Sequence, residues 1–176
     1  KLLLVGPEGA GKSHLAQVWA TENAADVLSA SALPEAPGGT QAVVVEDADR
    51  IAGDRAAETA LFHLHNDVLA RGGRLLVTAA CPPRRWGLCL PDLASRMEAT
   101  ALAEISAPDD RLLAAVLVKH FSDRQIAVAP DLIPWLLARM DRAFAAARAL
   151  VAAIDARALA DGRPVTRAVA RQVLDL

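Results

Sequence analysis

The sequence predicts an α/β fold, a parallel sheet flanked by helices, followed by a small all-helical lid. Up to about residue 105, short apolar runs alternate with helix-compatible stretches, which is typical of βαβ units. From Pro108 onward only helical patterns follow. A glycine-rich motif after the first apolar run adds a phosphate-binding loop, or P-loop. We therefore expect a nucleotide-binding core over residues 1–105 and a helical lid over residues 106–176.

Each predicted element corresponds to one apolar run or one helical pattern. The expected strands are the runs KLLLV, DVLSA, AVVVED, RLLVTAA and ATALAEI. The expected core helices run from the P-loop to about residue 22, over 54–70 and near 91–97. The expected lid helices cover 109–124, 131–139, 141–160 and 166–174, the last with Thr166 as its N-cap. The stretch LPEAPGGT at 33–40 is expected to be a surface loop.

Composition narrows the class of protein. No apolar run approaches the roughly 18 residues of a membrane span, and no secretory signal is recognisable, so we expect a cytoplasmic protein without a membrane partner. The core carries 9 basic and 13 acidic residues and the lid 10 and 8, which predicts at most weak contact with DNA. Cys81 and Cys89 are too few for a disulfide scaffold and are expected to be reduced thiols.

The stretch GPEGAGKS at 6–13 satisfies the P-loop pattern G-x-x-x-x-G-K-[ST] between a predicted strand and a predicted helix. Glycines let the loop turn its N–H groups towards phosphates, and the helix beginning near Lys12 adds its positive dipole end. Lys12 would reach the β- and γ-phosphates, and Ser13 would bind Mg²⁺. The alternative is a glycine-rich turn that only caps a helix. The nucleotide-binding residues predicted here are Gly6, Pro7, Gly9, Ala10, Gly11, Lys12, Ser13 and His14.

Two acids, Glu46 and Asp47, directly follow the apolar run AVVV. In a P-loop site one such acid holds Mg²⁺ and its neighbour polarises the attacking water. We assign Glu46 to the metal and Asp47 to the catalytic base. The alternative is a strand end with solvated acids. Because the shorter acid stands in the base position, we expect inefficient hydrolysis.

Several motifs carry a resemblance to a known family. The stretches GPEGAGKSHL, VVVEDADRIAGD, LFHLHNDVLARGGRLLVTAACPP and LPDLASR are similar, in order and spacing, to the AAA+ proteins of bacterial replication control, the DnaA and Hda family. LPDLASR and IAGD favour the Hda branch, the regulatory inactivators of the initiator DnaA. The resemblance implies an AAA+ sheet with a helical lid, bound ADP or ATP with Mg²⁺, and two partners, DnaA and the DNA polymerase sliding clamp.

The resemblance also implies roles for particular residues. Arg96 in LPDLASR matches the family's arginine finger, which acts in trans on a neighbour's nucleotide; without the resemblance it would be a surface arginine. Ala80 stands where the family's first sensor has an acid, which leaves Thr78 as the nearby polar group. Ala145 stands where the lid's sensor arginine is expected. Arg142 and Arg148 lie one turn away on either side, and whether one of them replaces that arginine stays open.

These assignments predict a nucleotide-holding switch that stimulates ATP hydrolysis by DnaA and has at most very slow ATPase activity of its own. The clamp would be bound through a segment before Lys1, and homodimerisation stays open. The first alternative is a DnaA-like initiator or helicase-loader ATPase fragment. Only about ten residues separate the second and third predicted strands, too few for the helical insertion with which such initiators engage DNA. The second alternative is a small-molecule P-loop kinase.

Overall fold

A five-stranded parallel sheet forms the first unit of the chain, Lys1–Ser106, in a computed structural model that describes residues 1–33 and 39–174. Its strand order is β2-β3-β4-β1-β5, and every neighbouring pair is parallel. Most of the loop predicted at 33–40 lies outside the described residues. The strands are β1 (Leu2–Val5), β2 (Asp26–Ser29), β3 (Ala42–Glu46), β4 (Arg74–Ala79) and β5 (Ala101–Glu104).

The register of the sheet brings the carboxyl ends of its strands to one edge. Val45 of β3 is level with Val77 of β4, and Val77 is level with Leu3 of β1. The residues that follow Val45 and Val77 are Glu46 and Thr78, so these two residues lie at the same level on neighbouring strands. The central strands are almost wholly buried, which explains their unbroken apolar sequences.

Helices cover both faces of this sheet. On one face, Ala16 and Ala20 pack on Leu4, Val44 and Leu76. The larger core lies on the other face. The helices of this unit are α1 (Lys12–Asn23), α2 (Arg55–Ala70) and α3 (Pro91–Glu98), and 3-10 turns occupy Ala30–Ala32, Ala48–Ile51 and Pro83–Arg85. The sequence did not predict these turns, because a single turn is too short to show a periodic pattern.

The second unit begins at Ala107 and, within the residues described, consists of helices and their connections. Its core is built around Leu117, Phe121, Leu136 and Ile154, all nearly inaccessible to solvent. Thr166 caps the last helix by accepting a hydrogen bond from the Val169 N–H at 3.4 Å, as predicted. The helices are α4 (Asp110–Asp123), α5 (Leu132–Leu137), α6 (Phe144–Asp161) and α7 (Arg167–Val173).

The largest difference between a predicted and an observed helix boundary is three residues. The sequence placed the start of the long lid helix at residue 141, whereas α6 begins at Phe144. Arg142 therefore precedes the helix and lies outside its regular turns. The described part of the chain contains no helix that combines the length and apolarity needed to cross a bilayer.

Candidate functional site

The P-loop forms a tight turn between β1 and α1. Gly9 and Gly11 have φ angles of 78° and 95°, in the left-handed region that side chains disfavour, and the Ala10 N–H donates to the Pro7 carbonyl at 3.2 Å. Gly6 is required for a different reason. A Cβ atom there would lie 2.3 Å from the Ile105 carbonyl oxygen, because the chain after β5 passes directly beside the loop.

Lys12 turns its ammonium group into this loop. Its side chain is 8% exposed, and Nζ donates to the carbonyl oxygens of Gly6 at 2.7 Å and Pro7 at 3.0 Å. No carboxylate among the described residues forms an ion pair with it. Because its partners are neutral carbonyls, the Lys12 side chain can form an ion pair with an anionic ligand.

The first turn of α1 is open to an anion. The residue before the helix is Gly11, which has no side chain to cap the free N–H groups, and no acid lies in the first turn. Ser13 and His14 are exposed there, and Pro7 is exposed on the loop, whereas Ala10 is buried. The residues predicted for phosphate binding therefore form one continuous cradle at the end of β1.

Glu46 ends β3 with an unsatisfied acceptor. Its Oε1 atom is buried and has no hydrogen-bond partner within the described part of the chain. A buried oxygen without a partner is costly unless a ligand satisfies it. Described residues also contain no cluster of three His, Cys, Asp or Glu side chains that would form an all-protein metal site. The buried oxygen of Glu46 fits Mg²⁺, because this ion is usually held by one or two protein oxygens together with substrate phosphates and water.

Asp47 is placed beside the guanidinium of Arg50. It has a left-handed backbone, with φ of 56°, and its N–H donates to the Thr78 hydroxyl at 3.1 Å. Its Oδ2 lies 3.6 Å from Nε of Arg50, whose Nη2 lies 3.7 Å from Oε1 of Glu8. Arg50 therefore spans from the end of β3 to the P-loop.

The end of β4 offers no charged side chain to a ligand. Ala80 has only a methyl group, and its backbone N–H donates to Oδ1 of Asp49 at 3.1 Å. Thr78 is fully buried, and its hydroxyl already accepts the Asp47 N–H. Thr78 therefore fixes the backbone between β3 and β4, a role that its sequence position alone did not indicate.

Arg96 is exposed in the last turn of α3. Its guanidinium carbon lies 5.1 Å from the centre of the Phe62 ring on α2. A cation above an aromatic face is favourable and restricts the side chain without neutralising its charge. The described residues contain no carboxylate paired with Arg96, so its charge is available to a partner.

Glu58 on α2 binds two backbone segments, one before α2 and one before α3. Its carboxylate is fully buried and accepts N–H bonds from Gly53 at 2.9 Å, Cys89 at 3.0 Å and Leu90 at 2.7 Å. Burial alone would raise the pKa of this carboxyl, but the three N–H groups outweigh burial and hold the pKa below its usual value. Leu90 immediately precedes α3, so Glu58 fixes the start of the helix that carries Arg96.

In the helical unit, Ala145 lies exposed in the first turn of α6. Arg142 forms an ion pair within this unit, because its Nη2 lies 2.9 Å from Oδ1 of Asp110. Arg148 is exposed on α6 and forms no ion pair among the described residues.

A groove of about 720 Å³ also lies in this unit, lined by α4, α5 and their connection, including Phe121 and Ile133. No charged residue lines that groove, so it offers nothing to a phosphate.

Three residues near the predicted site were missed by the sequence reasoning. Arg50 lies on a 3-10 turn without a motif, and Glu58 and Phe62 lie on a helix whose apolar pattern does not show which distant residues its side chains contact. A charged residue at a buried helix position was the one signal available for Glu58.

No protein-family model matches the sequence. Solved structures do resemble the chain. Domain III of the replication initiation protein DnaA from Thermotoga maritima matches with a TM-score of 0.84 and 16% identity, over 99% of this chain and 82% of that one. The fold is the AAA+ fold. The predicted fold class is thereby confirmed.

Two further AAA+ structures give the same result. DnaA from Aquifex aeolicus, in its AMPPCP-bound structure, matches with a TM-score of 0.75 and 18% identity, over 88% of this chain and 55% of that one. The Holliday junction branch migration motor RuvB from Thermotoga maritima matches at 0.73 and 19%, over 99% and 60%. The chain thus spans little more than half the length of these two proteins.

Proposed function

We propose that this AAA+ chain holds ADP or ATP with Mg²⁺ in its P-loop and acts as a switch of bacterial replication initiation. In this proposal Arg96 is inserted into the ATP site of a DnaA-type initiator and stimulates hydrolysis there. The proposal is supported mainly by a contrast between two kinds of residue. The cradle around Lys12 is complete and Arg96 is exposed without a paired carboxylate. The two positions at which the resemblance expects sensor residues are occupied by Ala80 and Ala145, which carry no charge.

The nucleotide site is supported by two unsatisfied features. The ammonium of Lys12 has only neutral partners, and the buried Oε1 of Glu46 has none within the described residues. Bound Mg²⁺ would supply Lewis-acid stabilisation of charge on the phosphates. Ser13 and Glu46 would hold the metal, the loop N–H groups would orient the phosphates, and Asp47 would accept the proton of an attacking water. AMPPCP bound to DnaA is consistent with an adenine nucleotide in this fold.

The trans role of Arg96 is supported by its placement. Glu58 fixes the start of α3, and the Phe62 ring holds the guanidinium in an exposed position without a carboxylate. A guanidinium offers paired donors to the oxygens of a transferring phosphoryl group. Arginine fingers supplied in trans increase GTPase rates by roughly 10³–10⁵. The sliding clamp would bring the two proteins together on DNA.

The test measures ATP hydrolysis by the cognate DnaA with clamp-loaded DNA and full-length protein. We expect Arg96→Ala to lose most of the stimulation, and Arg96→Lys to recover little because lysine lacks the planar fork. Arg85→Ala is the matched control, since Arg85 is an exposed arginine on the same unit without an ion pair in the described structure. Equal stimulation by Arg96→Ala and wild type would remove the trans mechanism.

A DnaA-like initiator or helicase-loader fragment is the second candidate, favoured by a fold match to DnaA bound to single-stranded DNA. The chain covers only 54% of that protein. A mobility shift with single-stranded DNA separates the two candidates: the switch is expected to bind weakly, whereas an initiator binds strongly. A panel of small phosphoryl acceptors with ATP tests the kinase alternative in the same way.

A further inference from the structure

Arg50 is the residue near the P-loop that the proposed mechanism leaves without a role. It lies on the 3-10 turn Ala48–Ile51, three residues after Asp47 of the Glu46–Asp47 pair. Its guanidinium lies 3.6 Å from Asp47 on one side and 3.7 Å from Glu8 on the other. A cation therefore stands between the P-loop and the acids at the end of β3.

The backbone beneath Arg50 is held firmly, whereas its side chain is free to change partners. Ala48 and Ile51 are buried, and Asp49 accepts the Ala80 N–H, which ties the turn to the end of β4. The Arg50 side chain itself is 63% exposed, and both of its ion pairs are longer than a hydrogen bond. Exposed pairs of this kind contribute little to stability, so a stronger anion can displace them.

A terminal phosphate is such an anion. In a P-loop site the backbone N–H groups hold the α- and β-phosphates, and a third phosphate extends the negative charge towards the metal-binding acids. Here that charge would meet the carboxylates of Glu8 and Asp47. Ala80, at the end of β4, provides no cation to compensate. A guanidinium that already bridges these carboxylates offers paired donors to phosphate oxygens.

We infer that Arg50 contacts the terminal phosphate of a bound nucleoside triphosphate and makes the site distinguish triphosphate from diphosphate. This inference rests on the proposed nucleotide binding. It assigns the sensing of the third phosphate to a same-chain arginine on the turn after β3. Lys12 would hold both nucleotides, whereas Arg50 would act on the triphosphate alone.

The experiment is calorimetric titration of wild type and variants with ADP and with AMPPCP, both with Mg²⁺. Arg50→Ala is expected to lower AMPPCP affinity by about tenfold or more while ADP affinity changes less than about twofold. Arg50→Lys is expected to recover part of the loss, because it restores the charge without the fork. Arg55→Ala is the matched control, an exposed arginine five residues away.

The Lys12→Ala variant distinguishes failure of the Arg50 inference from failure of the proposed nucleotide binding. If Lys12→Ala weakens both nucleotides and Arg50→Ala leaves the ratio of the two affinities at its wild-type value, the role of Arg50 is overturned and nucleotide binding stands. If wild type binds neither nucleotide, the proposed function is overturned, and the role of Arg50 with it. A loss of AMPPCP affinity in Arg55→Ala equal to that in Arg50→Ala would also overturn the inference, because it would indicate a general charge effect.

Discussion

The phosphate cradle and the Arg96 helix present their cations in opposite ways. Lys12 is buried within its own loop and bonded to two carbonyl groups, whereas Arg96 is exposed on α3 and stacked on a ring. The first arrangement suits a ligand that enters this chain, and the second suits a ligand carried by a partner. In the proposed function, holding a nucleotide and acting on a partner's nucleotide are therefore assigned to separate regions of the molecule.

The phosphate cradle and the Arg96 helix are also held in place by different contacts. Loop glycines with left-handed backbone and the close approach of Ile105 shape the cradle. A single buried carboxylate, Glu58, fixes the start of α3 through backbone N–H groups. Substitutions can therefore impair one region and leave the other intact.

The largest expected effect concerns the rate at which the isolated chain hydrolyses ATP, compared with typical enzymes. Typical enzymes turn over at about 1–10³ s⁻¹. With Asp47 in the base position and alanine at residue 80, few groups at the strand ends can stabilise charge that develops on the phosphates, so we expect a rate far below that range. Steady-state phosphate release from the isolated protein measures it. Turnover at or above about 1 s⁻¹ would mean that the cradle is an active site in its own right.

The next largest effect concerns nucleotide affinity. Lys12→Ala removes a charge-assisted contact to phosphate worth about 1.5–3 kcal/mol, so we expect adenine-nucleotide affinity to fall at least about tenfold. Calorimetric titration measures the change. Lys119→Ala is the control, because Lys119 pairs with Asp123 on the surface of α4. Unchanged affinity in Lys12→Ala would exclude the P-loop as the binding site.

The smallest effect concerns the positioning of α3. Glu58→Gln removes a charged acceptor from buried N–H groups, and we expect it to lower the free energy of unfolding by about 1.5–3 kcal/mol at pH 7. Because the pKa of Glu58 is lowered in the folded protein, its contribution is present above the unfolded pKa and is lost as pH falls through the folded one.

The stability gap between wild type and Glu58→Gln should therefore narrow at pH values below about 4.5, the ordinary pKa of a glutamic acid side chain. Denaturant titrations across that range measure it. If the gap stayed constant, the ionised carboxylate would not be the stabilising group. A loss of DnaA stimulation in Glu58→Gln, with ADP affinity retained, would support its positioning of Arg96.

The order of strands and helices could be predicted from the sequence, because apolar runs and helical periodicity report burial directly. The cradle could be predicted too, since GPEGAGKS carries its backbone geometry in its glycines. Other contacts could not. Residues 6 and 105 are far apart in the chain, so the clash that requires glycine at position 6 is a property of the sheet order. The same holds for Glu58 with Leu90 and for Arg50 with Glu8.

The most direct test of the account is the nucleotide that the purified protein carries. Denaturing the protein and separating the released nucleotide by chromatography identifies and counts it. We expect ADP or ATP in wild type and in Arg96→Ala, and a clearly smaller amount in Lys12→Ala, because the proposal assigns nucleotide binding to the cradle and not to Arg96. Wild-type protein that carries no adenine nucleotide and binds neither ADP nor ATP in solution would contradict the central claim.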